Sequence, residues 1–149
     1  EIVDRLAGHG QLVSGGSLNH TTSLAAAVMV RDGAFDRHLA WLRPQLRLRR
    51  DALVGALREH LPASIDVVRP GGGFFVWLEA GGGHTEEELL RAADHAGLAV
   101  AAGSRFGTPA RPSLRLAFTL NPPERLARAG RRLADSLTEP EPSPEWDGR

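Results

Sequence analysis

Short apolar runs in the second half of the chain predict a small group of β-strands. Within residues 113–119 every second position is apolar, which is typical of a strand with one buried face. Residues 74–80 (FFVWLEA) form a strongly β-prone run, and a shorter one covers residues 65–68. The glycine-rich residues 69–73 between these two runs predict a turn and therefore a hairpin. A further short strand is predicted at residues 98–102.

The first half of the chain has helical periodicity instead. Residues 1–10 have an amphipathic helical pattern, and a helix of small residues is predicted to end at Arg31, before Asp32-Gly33. From residue 35 to residue 60, leucines recur at spacings of three, four or seven, which places them on one stripe of a long helix: Leu39, Leu42, Leu46, Leu53 and Leu57. Pro44 is expected to kink or break this helix.

Two shorter helices have recognisable start and stop signals. Thr85 and Glu88 match a capping box for a helix that reaches about Ala96, where Gly97 is a suitable terminator. Asn121 is expected to cap the last helix. The buried stripe of that helix is predicted to consist of Leu126, Leu133 and Leu137.

The order of these elements, long helices followed by β-β-α-β-β-α, predicts an α+β fold. We expect helices to pack on one face of a largely antiparallel sheet. Residues 138–149 are rich in proline and acidic residues and are expected to be disordered. The chain begins with Glu1 inside a helical pattern, and we interpret it as a fragment.

Composition narrows the possible functions. The 149 residues carry a net charge of zero, and no apolar run approaches the length of a membrane span. There is no cysteine, and no pair of histidines has the spacing of a zinc site. We therefore expect that this segment binds neither nucleic acid nor a membrane and holds no metal. The absence of cysteine leaves the redox compartment open, and we expect the parent protein to be cytoplasmic.

Arginines and glycines are the remaining candidates for chemistry. The pattern favours a turn for Gly71–Gly73 over a phosphate cradle, and a solvated helix face for the arginines of residues 47–58. Arg115 differs because it lies within a strand, on the face opposite Leu114 and Leu116. Its own face otherwise carries small residues, so the pattern leaves two possibilities open, a surface arginine and a carboxylate site.

Four segments in order resemble the C-terminal part of class I/II aminotransferases, enzymes of fold type I that use pyridoxal phosphate: RHLAWLRPQLRLRRDALVGAL (37–57), PGGGFFVWLEA (70–80), GLAVAAGSRF (97–106) and LRLAF (114–118). Within that family the chain looks most similar to 2-aminoadipate aminotransferases and to the aminotransferase-like halves of MocR regulators. The resemblance implies that residues 1–33 are trailing helices of the large cofactor-binding domain. It implies that residues 34–137 are the small domain and that residues 138–149 are a tail.

The resemblance also implies roles for individual residues. Arg115 matches the arginine that binds the substrate α-carboxylate. Asn19 and His20 match a loop at the dimer interface, close to the partner's cofactor, which implies a homodimeric parent. Ala102 departs from the family, in which proline is usual at this position.

A larger departure is that the chain contains no lysine, because the family forms a Schiff base between a lysine and its cofactor. We therefore expect the chain to be the C-terminal portion of an aminotransferase that acts on an amino acid and a 2-oxo acid. We expect the chain to be inactive by itself. Two alternatives stay open. One is the effector domain of a MocR-type transcriptional regulator, and the other is a non-catalytic α+β ligand-binding domain.

Overall fold

The computed structural model describes residues 2–8 and 19–138 of the chain. The chain divides into two compact units, Glu1–Arg43 and Pro44–Arg149. The disorder expected for residues 138–149 is wrong for Thr138, which ends the last helix, and residues 139–149 lie outside the described residues.

The first unit contains helix α1 (Ile2–Ala7), helix α2 (His20–Arg31) and the beginning of helix α3 (Ala34–His60). Helix α2 ends as the sequence predicts, because Gly33 adopts a φ of 68°, which favours glycine. No residue of helix α2 is buried, and apolar side chains such as Leu24 and Val30 are more than half exposed. The helices of this unit therefore present an apolar surface.

Helix α3 runs without interruption through Pro44, so the expected break is absent. Proline fits the helical φ but cannot donate a hydrogen bond to the carbonyl of Ala40, one turn earlier. The boundary between the two units falls directly before Pro44. The buried residues of this helix all lie after it: Leu53, Val54, Ala56 and Leu57.

The second unit is built on a four-stranded sheet: β1 (Ile65–Val68), β2 (Phe75–Ala80), β3 (Ala101–Ala102) and β4 (Ser113–Ala117). Its strand order is β1-β2-β4-β3, and every neighbouring pair is antiparallel. The predicted hairpin of β1 and β2 is confirmed. The register places Arg115 opposite Trp77 on one side and opposite Ala101 on the other.

Strand β3 is shorter than residues 98–102, the range that the sequence predicts. Helix α4 (Glu86–His95) has the predicted capping box at Thr85, and Gly97 closes its end with a φ of 68°. In this closure the N–H of Leu98 donates to the carbonyl of Ala93 at 2.8 Å. Leu98 therefore contributes its N–H to the helix end, and the strand begins three residues later.

Helix α5 (Pro123–Thr138) completes the unit. Asn121 does not cap it as predicted. The carbonyl of Pro122 accepts the N–H groups of Arg125 and Leu126, and Pro123 stands at the first helical position, where its missing N–H costs nothing. A Cβ on Gly130 would lie 3.1 Å from the Cβ of Ala56, so glycine allows α5 to approach α3 closely.

The helices of the second unit cover one face of the sheet, as expected for the α+β fold. Side chains from all three helices and from three strands form a single apolar core, which includes Leu53, Leu57, Val76, Leu78, Leu89, Leu114, Leu116, Leu126 and Leu133. The predicted stripe of α5 is confirmed, with Leu137 partly buried at its end. None of the helices in the described part of the chain has the length and apolarity that crossing a membrane requires.

The core makes a direct prediction about stability. Leu114 is fully buried, whereas Leu120 is 88% exposed six residues later. Leu114→Ala should lower the free energy of unfolding of this chain by about 2–5 kcal/mol, since it removes buried apolar surface and leaves a cavity. Leu120→Ala, the matched control, should change it by less than about 0.5 kcal/mol. Urea denaturation followed by circular dichroism measures both values, and equal effects would show that this side of β4 does not face the core.

Candidate functional site

The face of the sheet away from the helices is here called the outer face. It is formed by alternate residues of the strands: Asp66, Val68, Phe75, Trp77, Glu79, Ala101, Ser113, Arg115 and Ala117. The neighbours of Arg115 along β4 are buried: Leu114 is fully buried, and only 5% of Leu116 is exposed. Arg115 is half-buried and projects from the opposite face, as the sequence predicts.

Two aromatic rings cover the guanidinium of Arg115. Its central carbon lies 3.9 Å from the centroid of the Phe75 ring and 4.0 Å from that of Phe106. Contacts of this kind stabilise the cation electrostatically, by about 0.5–2 kcal/mol each depending on exposure. The sequence predicts small residues beside Arg115 on its own face. In the structure the rings of Phe75 and Phe106 fill part of the space that these small residues leave.

The side-chain nitrogens of Arg115 have no hydrogen-bond partner among residues 2–8 and 19–138. Its Nε is buried and makes no hydrogen bond there. A buried N–H without an acceptor costs free energy, so such a group marks a place where a ligand can contribute. Arg111 is a useful contrast, because its Nη1 donates to Asp66 at 2.7 Å.

A short 3₁₀ helix (Gly103–Phe106) brings Phe106 to this site. Gly103 is buried against β4, where a Cβ would overlap the hydroxyl oxygen of Ser113. The carboxylate of Glu86 accepts two hydrogen bonds from Ser104, from the N–H at 3.0 Å and from the hydroxyl at 2.5 Å. The hydroxyl bond and then the N–H bond lower the pKa of Glu86, because both stabilise the charged form of the carboxyl group.

The ring of Phe106 also contacts a second aromatic side chain. Trp77 meets it edge to face, with centroids 5.7 Å apart and planes at 86°. The ring of Phe106 thus contacts both the indole of Trp77 and the guanidinium of Arg115. The sequence alone did not identify Phe75, Trp77 or Glu86 as site residues. A correct prediction of the pairing between β2 and β4 would have identified Trp77, because this pairing puts Trp77 opposite Arg115.

Asn19 and His20, the other predicted site residues, belong to the first unit. The Oδ1 of Asn19 accepts the N–H of Thr22 at 3.3 Å, so Asn19 caps helix α2. His20 is the exposed first residue of that helix. Residues 11–18, which include most of the predicted interface loop, lie outside the described residues. The cofactor-side role of Asn19 and His20 stays a prediction.

Arg50 of helix α3 is not on a solvated face, which corrects part of the prediction for residues 47–58, whereas Arg47 and Arg58 are exposed as predicted. Arg50 donates to the carbonyl of Pro70 at 3.0 Å, and only 13% of its side chain is exposed. Arg58 donates to the carbonyl of Val67 at 2.9 Å. Both bonds connect the helix to the β1–β2 hairpin.

Within the described ranges no three potential metal ligands lie together.

The described geometry agrees with comparisons to known proteins. The family model for aminotransferase class I and II matches residues 3–133. Aromatic-amino-acid aminotransferase 1 of Thermococcus litoralis is 30% identical over 123 residues, which cover 81% of this chain and 30% of that protein. The 2-aminoadipate transaminase of Thermus thermophilus is 31% identical over 111 residues, 73% of this chain and 28% of that protein.

Solved structures give the same result. A kynurenine aminotransferase of Pyrococcus horikoshii, solved in complex with PMP, KYN and KYA, has a TM-score of 0.67 and 28% identity over 73% of this chain and 28% of its own. LysN, the α-aminoadipate aminotransferase of Thermus thermophilus, has a TM-score of 0.66 and 29% identity over 76% of this chain and 29% of its own. This chain spans less than a third of the length of these relatives.

Sequence and fold therefore agree, and the resemblance found in the sequence is confirmed. The family model extends over most of the chain and includes both helix α3 and strand β4. The chain belongs to the class I and II aminotransferases.

Proposed function

We propose that this chain is the C-terminal, carboxylate-binding part of a pyridoxal-phosphate-dependent aminotransferase. The parent would transfer an amino group between an amino acid and a 2-oxo acid, and Arg115 would hold the α-carboxylate of both. The observation that carries the proposal is the state of Arg115, which is half-buried between two rings with a buried, unpartnered Nε in the described part of the chain.

The chemistry of the guanidinium favours a carboxylate. The rings of Phe75 and Phe106 lie close to its central carbon, while its N–H groups point outward in the guanidinium plane. A carboxylate can accept two parallel hydrogen bonds in that plane. Because Arg115 stands on a strand of a packed sheet, its position is set before the ligand arrives.

The cofactor itself fits this chain only in part. Pyridoxal phosphate acts as an electron sink once it is bound to the amino group of its substrate. Enzymes that use it attach it to a lysine, and this chain has none. No residue here fits covalent attachment, and we assign to this chain only the binding of the substrate carboxylate.

The same proposal includes the assignment of residues 34–137 to the small domain. It also includes a homodimer in which Asn19 and His20 approach the partner's cofactor.

A second function has specific support from the comparisons. HTH-type transcriptional regulators are also among the relatives, and YjiR of Escherichia coli is 40% identical over 60 residues, 40% of this chain and 13% of that protein. A regulator could use the same arginine to sense an amino acid. Purified full-length protein separates the two functions, since an enzyme turns over an amino acid and a 2-oxo acid, while a regulator binds DNA in response to its ligand.

The first prediction from this proposal concerns Arg115→Lys in the full-length enzyme. Lysine keeps the charge but replaces a planar fork by a point donor, and one charge-assisted hydrogen bond is lost. At about 1.5–3 kcal/mol for such a bond, kcat/KM for an amino-acid donor should fall at least about tenfold. The melting temperature should change little, because the side chain lies outside the apolar core.

Arg128→Lys is the matched control, since Arg128 is an exposed arginine on helix α5. It should keep the normal kcat/KM. Near-normal kcat/KM in Arg115→Lys, or a loss that a thermal melt traces to unfolding, would show that Arg115 is a structural arginine.

A further prediction concerns this chain by itself. Because it lacks lysine, incubation with pyridoxal phosphate followed by borohydride reduction should leave every side chain unmodified. Peptide mass spectrometry measures this directly, and the full-length enzyme treated in the same way is the positive control. A reduced adduct mapped to a side chain of residues 1–149 would contradict the expectation.

A further inference from the structure

Glu86 lies at the first position of helix α4, well away from Arg115 in sequence, yet two contacts connect them. Glu86 accepts two hydrogen bonds from Ser104, and Ser104 belongs to the 3₁₀ helix that ends with Phe106. The ring of Phe106 then lies 4.0 Å from the guanidinium carbon of Arg115.

Apart from the contacts of Phe106 with Trp77 and Arg115, the 3₁₀ helix has few attachments to the described residues that could set its position. Gly103 packs against Ser113 of β4, which fixes one end of the turn next to the sheet. Ser104, Arg105 and Phe106 are exposed, and Gly107 follows with a φ of 141° that favours glycine. An exposed turn of this kind is held mainly by its hydrogen bonds, so the carboxylate of Glu86 is its main polar anchor in the described residues.

The geometry points to Glu86 as a positioning residue for the carboxylate site. It holds the 3₁₀ helix through Ser104, and the 3₁₀ helix places Phe106 over one face of the Arg115 guanidinium. The ring of Phe75, on the paired strand, also lies against this guanidinium. Loss of the Glu86 anchor would free the Phe106 ring and let the guanidinium turn out of the plane in which it meets a carboxylate. The role in substrate binding rests on the function proposed above, whereas the structural coupling does not.

The first arm of the test uses this chain alone and needs no activity. In ¹⁵N-labelled protein, the Nε–H signal of Arg115 and the indole N–H signal of Trp77 report on the two groups that touch Phe106. Glu86→Gln should shift or broaden both signals, because an amide is a weaker acceptor for the two donors of Ser104. Ser104→Ala removes the hydroxyl donor from the same contact and should change the same two signals.

Glu87→Gln is the matched control. Glu87 is the next residue on the same helical turn, is exposed, and undergoes the same loss of charge. It should leave the Arg115 and Trp77 signals unchanged. A circular dichroism spectrum and a urea midpoint for each variant establish that the fold is retained, and Ser104→Ala keeps the test available if Glu86→Gln unfolds.

The second arm uses the full-length enzyme. Because Glu86 acts on binding through Arg115, Glu86→Gln should raise KM for the amino acid by roughly fivefold and change kcat by less than about twofold. Glu87→Gln should change neither. Combining Glu86→Gln with Ser104→Ala should raise KM no further than the larger single effect, since both variants break the same contact.

The outcomes separate this inference from the proposed function. If Arg115→Lys abolishes activity but Glu86→Gln leaves the Arg115 and Trp77 signals unchanged, Glu86 has no positioning role and the carboxylate site stands. If Glu86→Gln changes both signals while Arg115→Lys keeps normal kcat/KM, the coupling stands and the carboxylate assignment fails. Equal effects of Glu86→Gln and Glu87→Gln on the signals would overturn the inference, because they would reflect lost charge and not the Ser104 contact.

Discussion

The candidate site depends on the alternation of strand β4 between two chemically different faces. Leu114 and Leu116 are buried in the core, so Arg115 between them must project from the outer face. A slip of one residue in the register would exchange the faces and bury a guanidinium among leucines, at a large cost in free energy. The packing that stabilises the sheet therefore also sets the direction of the arginine, and the site needs no separate device to hold its backbone.

The aromatic rings determine what kind of ligand such an arginine can bind. Most arginines become engaged by whichever carboxylate is near, as Arg111 is by Asp66. Arg115 instead contacts the rings of Phe75 and Phe106. Ring contacts stabilise the charge through its faces and leave the N–H edges unoccupied. A flat anion with two acceptors in one plane meets this arrangement better than a spherical anion does, since both acceptors can reach the fork together.

The sequence predicted those features that depend on local periodicity or on short signals. The alternation of residues 113–119, the hairpin, and the capping box at Thr85 are of this kind. The contacts of two aromatic rings with Arg115 could not be predicted in this way, because strand pairing brings Phe75 to Arg115 and a short turn brings Phe106. Glu86 was hidden for another reason: it is one of three consecutive glutamates, and only the fold shows which of them faces Ser104. The late start of β3 depends on one N–H group, that of Leu98, which donates to the end of helix α4.

The proposed carboxylate site and the covalent attachment of a cofactor need different residues. Holding a carboxylate needs a charge on a rigid strand and a way to orient it, and Arg115 with its two rings meets both needs. Covalent attachment of a cofactor needs a lysine, which this chain does not have. On the proposed function, the same segment would serve an enzyme that transforms an amino acid or a regulator that senses one. This is consistent with the presence of both aminotransferases and HTH-type regulators among its relatives.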